Sequence, residues 1–137
     1  MNYAIQLHEN NAGAFCNRGV IYEKMKDTEQ AINDYDKAIA LNPDYAPAYY
    51  NRGSAFAARE NIDKAIMDYS KAISLDPTST LSYYNRGVAF KLLDRTDLTI
   101  ADLSKAISMD PRFAAAYAHR GLAYAESGEP EKSLSDF

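Results

Sequence analysis

Asn17, Asn51 and Asn85 stand at equal spacing along the chain, and each precedes an arginine: Arg18, Arg52 and Arg86. A carboxamide carries both donors and an acceptor, so one asparagine can satisfy both polar groups of a single peptide unit. A column of them at fixed phase can follow an extended backbone. The same column suits a second role, in which each amide bonds the adjacent helix and serves packing. His119 takes the fourth place in the series, either as a hydrogen-bond donor or as a solvated imidazole. All of this is chemistry of recognition, and the reactive residue types point the same way. His8 and His119 are the two histidines and lie far apart, and the single cysteine, Cys16, has no histidine in its own unit. No nucleophile–base pair is supported, nor a disulfide or zinc framework. The sequence has no glycine-rich phosphate loop and no metal-ligand spacing. No catalytic residue, cofactor or metal is expected.

A second constellation repeats at the same period. Asp34, Asp68, Asp102 and Asp136 each follow their unit's arginine, Arg18, Arg52, Arg86 and Arg120, at one constant offset. Opposite charges at a constant offset predict a ladder of structural ion pairs. The alternative is that some of these arginines also meet a ligand.

The elements that hold these residues follow from the glycines. Gly19, Gly53, Gly87 and Gly121 recur at the spacing of the asparagines. A fixed period of about 34 residues marks a stacked array of repeats. Each glycine follows an aromatic by four residues (Phe15, Tyr49, Tyr83, Tyr117) and precedes another by three (Tyr22, Phe56, Phe90, Tyr124). In the second unit Ala48, Tyr49, Arg52, Gly53 and Phe56 share one helical face. After a break at Arg59, Glu60 and Asn61, a second face carries Ala65, Ile66, Tyr69, Ala72 and Ile73. Each unit therefore reads as two helices. A glycine inside a helix costs roughly 1 kcal/mol in propensity, so its recurrence argues for close helix packing. Pro43, Pro77 and Pro111 close the second helices, because proline cannot continue them.

This order of aromatic, glycine, aromatic, alanine, aromatic, alanine and proline within one period resembles the tetratricopeptide repeat, over essentially the whole chain. The resemblance implies an all-α fold, a right-handed superhelical solenoid of antiparallel helix pairs. It also implies that the first helices line a concave groove. Cys16, Asn17, Val20 and Lys24 map to that groove in the first unit and Tyr50, Asn51, Ser54 and Ala58 in the second. Tyr84, Asn85, Val88 and Lys91 map to it in the third, and Ala118, His119, Leu122 and Glu126 in the fourth. Tyr50 and Tyr84 flank the asparagines, either as contact residues or as wedges between neighbouring helices. The asparagine column is similar to the ladder in the repeats of O-linked N-acetylglucosamine transferase. A clamp for a terminal carboxylate, as in co-chaperone members of the family, is not expected. Gly13, Pro47, Leu81 and Ala115 stand where such a clamp uses a cation, and Asn51 alone fits it. Two departures from the pattern stand out. Arginine precedes the glycine where leucine is usual, and Thr99 and Ser133 replace an alanine, which predicts a looser helix junction at Thr99.

Composition bounds the rest. With 137 residues, 47% hydrophobic and 25% charged, the chain has the make-up of a folded domain. A net charge of -4 leaves no basic footprint for nucleic acid, and no apolar run is long enough for membrane insertion. The expected units are 12–45, 46–79, 80–113 and an incomplete 114–137, with 1–11 forming the end of a preceding repeat. The expected function is a scaffold that binds a protein or peptide partner as an extended segment in the groove. The alternatives are a structural assembly array and a substrate-recruiting domain of a larger enzyme. Met1 and Phe137 stand at equivalent phases, and Tyr3–Leu7 offers half of the helix that stops at Phe137, which adds an expectation of weak head-to-tail self-association.

Overall fold

The computed structural model describes residues 11–137, so His8 and the half-helix expected within residues 3–11, Asn11 apart, lie outside the described residues, as does the amino-terminal half of the head-to-tail contact. The described residues are helical, without strands, and the chain divides into two compact units, Met1–Pro77 and Thr78–Phe137.

The first unit holds α1 (Ala12–Lys24), α2 (Thr28–Leu41), α3 (Ala46–Ala58) and α4 (Ile62–Leu75). Asn11 caps α1 by accepting from the Ala14 amide at 3.2 Å, and Asp27 caps α2 by accepting from Gln30 at 3.3 Å. Pro47 sits in the first turn of α3, where its missing N–H goes unneeded. α2 and α4 end two residues before Pro43 and Pro77. α2 packs on α1 and α3, and α4 packs on α3. One buried cluster joins Ala12, Phe15 and Cys16 of α1 to Ala31, Tyr35 and Ala38 of α2 and Ala48 and Ala55 of α3. Small residues let the helices approach, and the rings fill what remains.

The second unit repeats the plan with α5 (Thr80–Leu92), α6 (Thr96–Met109), α7 (Ala114–Glu126) and α8 (Pro130–Asp136). Ser79 caps α5, and Pro130 opens α8. Its buried cluster is Leu103, Ile107 and Ala116, with Tyr84, Phe113 and Tyr117 packed against it. The junction at Thr99 is not looser in burial: Thr99 is 0% exposed, as Ala31 and Ala65 are. Its hydroxyl donates to the Arg95 carbonyl at 3.1 Å, which satisfies the one polar atom that alanine would lack.

The turn inside each helix pair has one geometry. The Asp27 amide donates to the Tyr22 carbonyl and Lys26 to Glu23, and the same two bonds recur at Asn61 and Glu60, Arg95 and Asp94, and Glu129 and Gly128. This double bond caps the first helix and needs a left-handed residue. Glycine supplies it at Gly128, with φ 82°. Lys26, Glu60 and Asp94 take the same conformation, at φ 62°, 62° and 58°.

Candidate functional site

The arginines build the frame. Arg18 donates through Nε and Nη2 to the two carboxylate oxygens of Asp34, at 2.7 and 2.8 Å. Arg52 meets Asp68, Arg86 meets Asp102, and Arg120 meets Asp136 in the same bidentate way, at 2.7 to 2.8 Å. Each guanidinium also lies between two rings of its own helix, three residues before it and four after. For Arg18 the rings are Phe15 and Tyr22, with centroids at 5.7 and 5.8 Å, and the other three arginines repeat the arrangement. The aromatics flanking each glycine therefore clasp an arginine as well as packing between helices. Arg52 and Arg120 also reach backwards: Arg52 Nη1 donates to Asp36 at 2.8 Å and Arg120 Nη1 to the Ser104 hydroxyl at 3.1 Å. Bonding to Asp68 and Asp36 raises the Arg52 pKa, as bonding to the partner aspartate does for the other three. A cavity of about 360 Å3 beside Arg52 is lined by Asp36, Phe56, Lys64, Met67 and Asp68. Both of its acids pair with Arg52.

On the other face of the first unit, the asparagines differ. Asn17 is exposed. Asn51 is partly buried, and its Nδ2 donates to Cys16 Sγ at 3.2 Å, tying α3 to α1. Cys16 is 3% exposed, and burial pushes its thiol pKa up, against the hydrogen bond from Asn51. Ser54 Oγ lies 3.1 Å from the Tyr69 hydroxyl, and the Tyr50 ring tilts against Tyr69 with centroids 5.9 Å apart. The fully buried Tyr35 donates its hydroxyl to Glu23. Burial first, then Glu23, raises the Tyr35 pKa. Sequence reasoning passed over Glu23. The available signal was its phase, which the third unit fills with Lys91.

In the second unit Tyr84, Phe113 and His119 form a stack. Tyr84 and Phe113 are 4.6 Å apart at 28°, and His119 meets the Tyr84 edge at 5.9 Å. His119 is not the solvated imidazole expected as one reading of its position. Its Nδ1 is buried without a hydrogen-bond partner, and burial, then nearby Lys91, lowers its pKa. Asn85, Val88 and Lys91 are partly buried, and Leu122 is 46% exposed. Among the described residues no group of three histidine, cysteine or acidic side chains could hold a metal ion, and no helix is long and apolar enough to cross a membrane.

Paired helices with this turn and this proline stop define a helical-repeat protein. Sequence profiles of the tetratricopeptide repeat match residues 12–45, 46–79 and 81–113, and the chain belongs to that family. No curated protein sequence matches it. Among solved structures, the crystal structure of MamA is 28% identical with a TM-score of 0.92, covering 99% of this chain and 80% of that one. The Arabidopsis OM64 tetratricopeptide domain is 28% identical with a TM-score of 0.81, covering 83% of this chain and 94% of that one. The first tetratricopeptide domain of Spaghetti (RPAP3), bound to the HSP90 peptide SRMEEVD, shares the fold at 22% identity and a TM-score of 0.84, covering 86% of this chain and 94% of that one.

Proposed function

We propose that the chain is a protein-interaction module that binds an extended peptide segment along the faces carrying Asn17 and Asn51 in one unit and Asn85 in the other. Family and fold support a protein-interaction role, and a neighbour of this fold is bound to a peptide. The observation that carries the finer reading is Asn51. Its Nδ2 is anchored on Cys16, which holds the carboxamide still while its Oδ1 stays uncommitted among the described residues. A pre-oriented acceptor costs less entropy on binding than a free side chain. Tyr50 and Tyr84 beside the asparagines add large contact area with a polar tip.

An arrayed library of extended dodecapeptides tests this. Replacing Asn17, Asn51 and Asn85 together by alanine should leave helicity nearly unchanged and weaken the hits, by about 0.5–1.5 kcal/mol per lost hydrogen bond. Unchanged affinity in the triple variant would remove the asparagines from recognition. Loss of the fold would assign them to packing.

A further inference from the structure

Glu23 lies on the same face of α1 as Cys16 and Val20, seven and three residues before it. It is partly buried, and the group it receives is neutral: the hydroxyl of Tyr35. Among the described residues, no lysine, arginine or histidine pairs with its carboxylate; the salt bridges there join Arg18, Arg52, Arg86, Arg120 and Lys132 to other acids.

The fold does not need this charge. The phase of Glu23 is filled by Ala57, Lys91 and Ala125 in the other units. Tyr69 stands at the phase of Tyr35, and there the hydroxyl lies against the neutral Ser54. In the first unit Val20 takes the place of Ser54, so the acceptor for Tyr35 falls to Glu23, a role that a neutral amide would fill as well. Glu23 also sits in the last turn of α1, where the helix dipole disfavours a carboxylate. The anion is felt across the face: after burial, it contributes to raising the pKa of Cys16 and Tyr35, and more weakly that of Tyr69. A partly buried carboxylate that receives a neutral donor gains a charge-assisted partner when a cation arrives. A lone carboxylate is a poor metal site, since hard cations require several oxygen ligands.

We propose that Glu23 is a specificity subsite for a lysine or arginine side chain of the bound segment, on the α1 face that carries Cys16, the anchor of Asn51. This rests on the peptide-binding reading above and adds the charge of the ligand to it.

The test uses the same dodecapeptide array with each lysine-containing sequence paired to a norleucine counterpart, and each arginine to citrulline. The relevant hits are those that weaken in the Asn17→Ala, Asn51→Ala double variant. Among them, wild-type protein should prefer the cationic member by about tenfold, a preference that shrinks at high salt. Glu23→Gln, which keeps an acceptor for Tyr35, should bind the two members within about twofold. Glu23→Lys should favour peptides with glutamate in place of lysine. Circular dichroism of both variants checks that the fold is retained. If wild type binds asparagine-dependent hits with no preference for the cation, or if the preference survives in Glu23→Gln, the subsite is wrong and the groove reading stands. If no peptide binds in an asparagine-dependent way, the groove reading fails and the subsite with it.

Discussion

Gly19 lies against the edge of the Tyr35 ring so closely that a Cβ on it would stand 2.6 Å from Tyr35 Cε1. Tyr35 has nowhere to go, because it is fully buried and its hydroxyl is held by Glu23. Gly19→Ala gains about 1 kcal/mol in helix propensity but overpacks this contact at about 1–3 kcal/mol. A net loss of up to about 2 kcal/mol in urea unfolding is expected. Gly87→Ala meets Leu103 and the Asp102 Cβ at 3.2 Å, which is milder, so it should fall within about 0.5 kcal/mol of wild type. Equal effects at the two sites would mean that the ring contact is not what the glycine serves.

The arginine–aspartate pairs should couple strongly. Asp34 is 1% exposed at its side chain and Arg18 15%, with two bonds between them. A double-mutant cycle on Arg18 and Asp34 is expected to give about 1–3 kcal/mol, against about 0.2–1 for an exposed pair. Arg18→Lys should not restore it, since an ammonium cannot make the planar fork or lie between Phe15 and Tyr22 in the same way. Asp36 is 52% exposed, so Asp36→Asn should cost under about 0.5 kcal/mol. Coupling near zero at Arg18 would mean that the two columns repeat for separate reasons.

Three turns carry a side chain where glycine fits better. Glu60 and Asp94 sit at φ 62° and 58°, a conformation that a non-glycine residue adopts at a cost of about 1–2 kcal/mol. Part of that relief is offset by the greater freedom of glycine in the unfolded chain. Glu60→Gly and Asp94→Gly should each stabilise by about 0.5–1 kcal/mol, read as a rise in thermal midpoint. Gly128→Ala should destabilise by a similar amount, and a rise there would remove strain from the account.

Alkali should unfold the chain through its buried tyrosines. Burial raises the pKa of Tyr35 and Tyr69 above 10.0. In the unfolded state tyrosine ionises at about pH 10. Above that pH the unfolded state has released protons that the native state retains, so stability falls as pH rises; below it these groups change nothing. Tyr35→Phe should flatten the alkaline slope, while costing about 1 kcal/mol at neutral pH by removing the donor to Glu23. An identical slope in wild type and variant would exclude Tyr35 from the effect.

Much of the fold was legible because helix pairs impose a period on glycine, alanine and proline. The pairing of Arg18 with Asp34 was legible for the same reason: each helix pair brings the two phases together. The clasp of Phe15 and Tyr22 around Arg18 was written in the spacing too, but the rings had already been assigned to packing, and they do both. The reach of Arg52 to Asp36 was hidden because Ser70 and Ser104 take the corresponding place before Arg86 and Arg120, so the acidic charge does not repeat. The strain at Glu60 leaves no mark in sequence, since nothing distinguishes it from an ordinary loop residue. The asparagine column looked uniform, yet Asn17 is exposed while Asn51 is committed to Cys16. That difference depends on the cysteine, which occurs once. His119 read as solvated because its aromatic neighbour Tyr84, on the first helix of the preceding pair, is invisible to local pattern.

The clasped guanidinium also divides the arginines into two chemical populations. Arg18, Arg52, Arg86 and Arg120 keep only 15–22% of their side chains accessible, with nitrogens bonded and faces covered by rings. Arg59, Arg95 and Arg112 are exposed. A dicarbonyl reagent adds across two guanidinium nitrogens, so it modifies the second set in the native protein and reaches the first only after the helix pair opens. Arginine labelling thereby becomes a clock for the separation of each helix pair, one buried reporter per pair, with no label engineered into the chain.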